Sequence, residues 1–390
     1  MSSIAGTPPI GQHDYRVRDR SLIASKACGL SARVTRMRAL ASKWTRRLVR
    51  AAAIAYPVTL LAIWISLRWI GEAWWASTAA LYLPYALFGL PLPFVVLAAW
   101  LNRMRSLAWA QAIALLLLVF PIMGFVLPWP SSADANAPKI RIVSLNVNAG
   151  RAGVGKIVDA IASYSPDVVL LQELASSDDF VTALRARYPT VSASGQFALA
   201  TRFPLVRVVE PEKLPYYGQL RSPRFIEYVL DTTLGTIPFF NVHPVSPRDG
   251  LATLRGEGLT REIGTGRLLE GTRAHTLEVN AALRTVQIEA AARAASLGPG
   301  PVVVAGDTNL PTLSPLLCGI FGEYDDAFRK AGWGFGYTFP TNKWRAWMRI
   351  DRILARGPVR FVHFEVGRPV VSDHHFIVAD LQSTAGAPAH

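Results

Sequence analysis

The chain has 390 residues, a formal net charge of +14 and a positive mean hydropathy, which together exclude a single ordinary water-soluble domain. Its two cysteines, Cys28 and Cys318, lie far apart with no CxxC or Cys/His spacing, excluding a disulfide framework and a thiolate metal site. Residues 1–130 carry 14 Lys+Arg against Asp14, Asp19 and Glu72, whereas residues 131–390 carry 27 against 24 acids, so the basic balance gives no argument for nucleic-acid binding by the C-terminal part.

Residues 1–47 form a basic head without periodicity, read as a disordered cytoplasmic segment, or as an artefact if translation starts at Met37. Residues 48–128 hold three apolar stretches, 51–71, 76–100 and 107–127. Each has about the 20 residues that a membrane-crossing helix needs. The second and third carry no charge and the first only Arg68, while Trp69, Trp74, Trp75, Trp100, Trp109 and Trp129 gather near their ends, as interfacial belts do. Basic residues precede the first stretch ("KWTRRLVR") and join the second to the third ("NRMRS"). The positive-inside rule then puts the N-terminus in the cytoplasm and everything after about residue 128 across the membrane, giving an integral inner- or plasma-membrane protein with an extracytoplasmic C-terminal domain. Residues 129–138 read as a Pro/Ser/Ala/Asn linker.

From Lys139 the texture is that of a mixed α/β domain, residues 139–384. "KIRIVSLNVN" and "DVVLLQEL" read as strands, with a helix over "GKIVDAIASYSP" between them. "QFALATRFPLV" and "RFIEYVLDTTLGTIPFFNVHPVSP" supply three more strands, the last two joined by a Leu-Gly-Thr turn. Residues 280–298 read as an amphipathic helix capped by Gly298, and "PVVVAGDTN" as a central strand. "RIDRILARG" and "VSDHHFIVADL" complete the chain. "GRAGVGK" (150–156) opens like a P-loop but continues with Ile157 where the magnesium-binding hydroxyl belongs, so nucleotide triphosphate binding is set aside.

Polar residues recur where apolar β-type runs end: Asn146, Glu173, His243, Asp307, Asn309, Asp351, Asp373 and His374. Each alone has a structural explanation. Asp307 and Asn309 suit an Asx turn, Glu173 a helix cap, His243 a satisfied core histidine, and Asp351 an ion pair with Arg349 or Arg352. Together they form a coherent set. Asn146 and Glu173 offer oxygen ligands to a hard cation such as Mg²⁺, with Mn²⁺ as the alternative. Asp307 can orient or deprotonate a water and Asn309 can hold a phosphate. His243 and His374 can donate to phosphate or leaving-group oxygens, and Asp351 can fix a histidine tautomer. The set suits in-line attack of water on a phosphate ester.

The ordered motifs "SLNVN", "DVVLLQE", "FFNVHP", "AGDTN", "RIDRI" and "SDHH" resemble those of the endonuclease/exonuclease/phosphatase superfamily, which is deoxyribonuclease I-like. The resemblance covers residues 139–382. It implies a four-layered α/β/β/α sandwich behind three transmembrane helices, with the active site at one edge of the two sheets. It places Asn146 and Glu173 at the metal site, with Asp373 counted beside them. His243 matches the general-acid histidine, and Asp307 with Asn309 the water-activating and phosphate-orienting pair. Asp351 matches the acid orienting the last histidine, and Asp373-His374 the terminal Asp-His. Asn148 stands where apurinic endonucleases carry an acid, and His375 has no assigned role.

The reading is a membrane-anchored, metal-dependent phosphodiesterase, with nucleic acid as the first substrate and phospholipid or a small phosphoester as the alternative. A catalytically idle phosphate-binding module is the reading from another class, against which the complete motif set argues. A transporter is weakest, because the apolar stretches hold no buried acid or paired charges. The Gly- and Arg-rich segment 248–276 is expected to be a lid or phosphate-facing loop, or else a solvated surface loop. The segment 336–349, rich in aromatics and bases, is expected near the active edge.

Overall fold

The computed structural model describes residues 37, 42–127, 137–221, 223–253, 272–343 and 345–384. Most of the basic head, most of the linker and the centre of the 248–276 segment lie outside these residues. By contacts the chain divides into two units, Met1–Val58 with Pro91–Ala114, and Thr59–Leu90 with Leu115–His390.

Two helices, Ser42–Ala73 and Arg105–Ile122, are long and apolar enough to cross a membrane. The expected second span is broken instead: Trp75–Leu81 and Tyr85–Leu101 meet at 97°, so among the described residues the candidate spans number two or three. Pro84 sits at this break, where its ring cannot continue the preceding helix. The helix begins at Ser42, so the head does not extend to residue 47 as irregular chain. In the first unit, Gln111 Nε2 donates to the Ala53 carbonyl at 2.9 Å, answering a buried amide with a backbone acceptor.

Among the described residues of the second unit fourteen strands follow in chain order. They are β1 (Lys139–Asn146), β2 (Val168–Gln172), β3 (Thr190–Ser194), β4 (Phe197–Thr201), β5 (Leu205–Val209), β6 (Leu214–Tyr216) and β7 (Gln219–Arg221). Then come β8 (Phe225–Thr232), β9 (Gly235–Val242), β10 (Val302–Asp307), β11 (Asp325–Asp326), β12 (Asp351–Arg356), β13 (Val359–Val366) and β14 (Ile377–Ser383). One six-stranded sheet runs β13-β14-β1-β2-β4-β3 and the other β11-β12-β10-β9-β8-β5, with β6-β7 a separate hairpin.

Side-chain alternation explains the layers. Ile140, Ile142, Val168 and Leu170 of the first sheet share one core with Ile237, Phe239, Val303 and Ala305 of the second. Their neighbours in sequence turn outward. Val143 and Leu145 pack with Ile157 and Phe180 of the helices Val154–Ala162 and Ser177–Arg185. Val302 and Val304 pack with Ile288 and Phe321 of the helices Thr272–Ser296 and Pro315–Phe321. The result is the four-layered α/β/β/α sandwich. β9 and β10 run parallel in close contact: a Cβ on Gly306 (φ 143°) would lie 2.1 Å from the Val242 carbonyl oxygen, so only glycine fits.

Several local expectations change. "QFALATRFPLV" is two strands in different sheets, because Pro204 in "RFP" ends the β4 pairing and β5 pairs with β8 instead. The β8–β9 turn is Thr233-Leu234, with Gly235 (φ 97°) opening β9. The long helix runs Thr272–Ser296, and Gly298 lies beyond it without a positive φ, so it is not a left-handed cap. Of the 248–276 segment, Arg248–Ala252 is a short helix and the last residues open the long one.

Candidate active site

The two sheets are apolar where they face each other, but the inward positions become polar at one end. Following the parity of Ile140 and Ile142, Asn146 faces inward, and following Val303 and Ala305, so does Asp307. They meet across the gap, where Asn146 Nδ2 donates to Asp307 Oδ2 at 3.2 Å. Gln172 of β2 and Asn241 of β9 form the next rung, with Gln172 Nε2 donating to Asn241 Oδ1 at 2.7 Å. His243, just past β9, and Asp351, at the start of β12, continue the same inward faces.

Asp307 is at the centre. Its Oδ2 lies 3.7 Å from both His243 Nε2 and His374 Nε2, and Asp307 is 2% exposed. Its other oxygen accepts the Asn309 N–H at 2.9 Å, so the Asx turn and the site geometry are both present. Asn309 is left-handed (φ 51°), and its Nδ2 donates to the Pro244 carbonyl at 3.1 Å. His374 Nδ1 reaches both Asp351 oxygens, at 2.9 and 3.1 Å, and its ring lies 4.5 Å from that of Phe339. Glu173 also adopts a positive φ (59°) as the chain leaves β2, and its Oε1 lies 3.2 Å from His243 Nε2. Ser372 Oγ donates to the Asn146 carbonyl at 2.7 Å and to Asp373 Oδ1 at 3.3 Å, tying the Asp373-His374 segment to the end of β1.

A cavity of about 400 Å³ opens over this cluster. Glu173, Asp307, Asn309, Asp373 and His374 line it, with Phe339, Lys343, Trp347 and Met348 from the aromatic and basic segment. All eight sequence-predicted residues therefore converge. Asn148 (φ 46°) also lines the cavity, and its N–H donates to Asn146 Oδ1 at 3.0 Å. His375 instead lines a separate cavity beside Phe364 and Arg368.

Burial disfavours the charged form of Glu173, but the hydrogen bond and charge of His243, with Asn146 and His374, outweigh it and hold the carboxyl at about 2. Burial pushes Asp307 above the ordinary carboxylate range, reinforced by the charge of Asp351 and opposed by His374 and His243. Burial also works against the His374 imidazolium, but Asp351 and Asp307 overcome it and raise the ring to about 9.

Asp307, Asp351 and His374 place one ligand-type atom each within 4.8 Å of one another, an acidic and histidine cluster suited to a metal. Asp351 and His374 are already bonded to each other, however. The donors with the chemistry of a hard cation are the oxygens of Glu173, Asn146 and Asp373. Glu173 keeps 37% of its side chain exposed and lines the cavity with Asp373, so these carboxylate oxygens are open to a ligand there.

Sequence reasoning missed several supports. Gln196 Oε1 accepts from His243 Nδ1 at 2.6 Å and so leaves Nε2 facing Glu173 and Asp307. Buried Asp326 pairs with Arg349 (2.8 Å) and Arg352 (3.1 Å), and Arg352 Nη2 donates to the Leu310 carbonyl at 3.0 Å, bracing the loop after Asn309. Arg349 and Arg352 are thus partners of Asp326 rather than of Asp351. The only signal for Gln196 was an amide at the turn before β4.

The fold is that of a phosphoesterase sandwich. Residues 143–374 match the endonuclease/exonuclease/phosphatase family, and the chain belongs to it. Members of this family are in general hydrolytic phosphoesterases. Among solved structures, the chain is similar to an endonuclease/exonuclease/phosphatase from Beutenbergia cavernae (17% identity, 63% of this chain and 72% of that one, TM-score 0.47). It is also similar to truncated TDP2 from Caenorhabditis elegans (18%, 63% and 98%, TM-score 0.44) and to a beta toxin from Staphylococcus aureus (16%, 62% and 99%, TM-score 0.43). Among curated proteins nothing matches.

Proposed function

We propose that this protein is a membrane-anchored, divalent-metal-dependent phosphodiesterase that hydrolyses its substrate by in-line attack of water, with its catalytic domain outside the cytoplasm. The observation that carries this reading is Asp307 Oδ2 standing 3.7 Å from two histidine Nε2 atoms, with an acid behind one ring and an amide behind the other.

In this reading Asp307 accepts the proton of the attacking water, a task served by a carboxylate whose affinity for protons is raised. His374, charged through neutral pH and held by Asp351, donates from Nε2 to a phosphate oxygen. His243, fixed at Nδ1 by Gln196, presents Nε2 to the leaving group. Asn309 orients the phosphate. Glu173, Asn146 and Asp373 would hold the cation, Mg²⁺ or Mn²⁺, which supplies charge neutralisation at the phosphoryl oxygens.

Nucleic acid is the first substrate assigned, because Arg151, Arg248 and Lys343 line the cavity beside Phe339 and Trp347, pairing cations for a polyanion with rings for bases. A phospholipid is the second reading, favoured by Leu251, Ala252 and Met348 in the same wall. The full chain in detergent micelles with Mg²⁺, beside its Asp307→Asn variant, separates them. Metal-dependent nicking of supercoiled plasmid supports the first, and release of phosphorylated headgroup from phospholipid vesicles the second. Neither activity in the wild type would defeat the hydrolase reading.

A further inference from the structure

The cavity described above has a wall that does not come from the sandwich. Tyr82 lies at the end of the Trp75–Leu81 helix, in the stretch read from sequence as part of a membrane span, and it lines the cavity with Asp307 and His374. It belongs to the same unit as the sandwich. Its hydroxyl donates to the carbonyl of Asn309 at 2.9 Å and accepts from Arg284 Nη1 at 2.9 Å. The Arg284 guanidinium also sits over the Tyr82 ring, 5.6 Å from its centroid.

Both partners are buried and both matter locally. Arg284 is 0% exposed, and its other contacts are neutral: the Val245 carbonyl at 3.1 Å and the Asn280 side-chain oxygen. Val245 and Pro244 follow His243 directly, so Arg284 braces the chain leaving the histidine. Asn309 has a left-handed backbone, a conformation that a non-glycine residue keeps only when its surroundings over-determine it. Three bonds do so here: its N–H to Asp307, its amide to Pro244, and its carbonyl to Tyr82.

The approach of this segment is itself specified. Gly71 (φ 46°) lies so close to the Pro315–Phe321 helix that a Cβ would come within 2.2 Å of Pro315 Cδ. Glu72, the one acid of residues 48–128, accepts from Ser314 Oγ at 2.6 Å in a buried contact. A loop lying casually against a domain would carry neither a glycine-only contact nor a buried acid with a dedicated donor.

We propose that Tyr82 is a positioning residue of the active site, and that the segment Gly71–Tyr82 is a structural part of the catalytic cavity and not only of the anchor. Through one hydroxyl it couples the Asn309 loop to Arg284 and so to the segment after His243. What the cavity does rests on the phosphodiesterase reading; what Tyr82 does rests on these contacts alone.

The test uses the full chain in detergent micelles and the variant Tyr82→Phe, which keeps the ring and removes the bridge. Two quantities are read: hydrogen–deuterium exchange of the backbone over 308–312, and steady-state hydrolysis of bis(4-nitrophenyl) phosphate with Mg²⁺. Exchange over 308–312 should rise at least severalfold while exchange in β1 and β2 stays unchanged. kcat should fall about tenfold with KM within about twofold, the pattern of a lost interaction that shapes the transition state. Unchanged exchange over 308–312 overturns the proposal whatever the rate does. Raised exchange in a chain whose wild type hydrolyses nothing upholds the role of Tyr82 and defeats the phosphodiesterase reading.

Discussion

Asp351→Asn retains the volume of a side chain that is 1% exposed and removes its charge. Asp351 is the leading influence that raises His374, by its charge and by the bond to Nδ1 at 2.9 Å. The displacement of His374 from 6.5 to about 9 represents on the order of 3 kcal/mol of preference for the charged ring. With that preference removed, the alkaline limb of kcat should move down from about 9 toward the ordinary histidine range. In the proposed mechanism the active form holds His374 protonated and Asp307 ionised. Activity is therefore lost as pH rises through about 9, and lost as pH falls through the raised Asp307 value. The same sign governs stability: a raised histidine contributes stabilisation that is complete below about 6.5 and disappears as pH rises through about 9. The assay is a pH–rate profile of the full chain from pH 5 to 10 on a phosphodiester with Mg²⁺, beside thermal melts at the two ends of that range. An Asn variant with a normal kcat and an alkaline limb still near 9 would show that Asp351 does not govern His374.

Asp307→Asn should lower kcat by roughly 10²–10⁴-fold with the melting temperature unchanged or raised, since it removes a buried charge; near-normal rates would remove Asp307 from the chemistry. Asp326→Ala should destabilise the sandwich by about 3–5 kcal/mol in denaturant titration, because it leaves Arg349 and Arg352 buried without their acid. Glu173→Gln should raise the Mg²⁺ concentration for half-maximal rate at least tenfold while the fold persists by circular dichroism; an unmoved requirement would take Glu173 out of the metal site. A reporter active only outside the cytoplasm, fused after residue 390, should signal there, and a cytoplasmic signal would reverse the proposed orientation.

Much of the candidate site was legible because strands report it locally. Val303 and Ala305 declare which face Asp307 takes, and the β-branched run declares that this face is buried, so an acid there demands an account. The same parity applies to Asn146, His243 and Asp351. What was not legible depends on contacts far apart in sequence. Gln196 is 47 residues from His243 and Tyr82 is 227 residues from Asn309, and neither carries a local pattern. Tyr82 was further obscured because a tyrosine in an apolar run reads as an interfacial anchor, which accounts for the ring and leaves the hydroxyl unexplained. The broken second span follows similarly: hydropathy counts apolar residues and is blind to a turn at Pro84.

The placement of Tyr82 also has a consequence for biogenesis. A ribosome delivers this tyrosine 202 residues before Arg284 and 227 before Asn309. Domains generally fold as the chain emerges, N-terminal parts first. The Asn309 loop would then meet its brace already in place, and a chain whose first 90 residues had failed to seat would carry a complete set of active-site side chains around a loop lacking one of its three ties. Seating of the Gly71–Tyr82 segment would thereby act as a licensing step for the cavity.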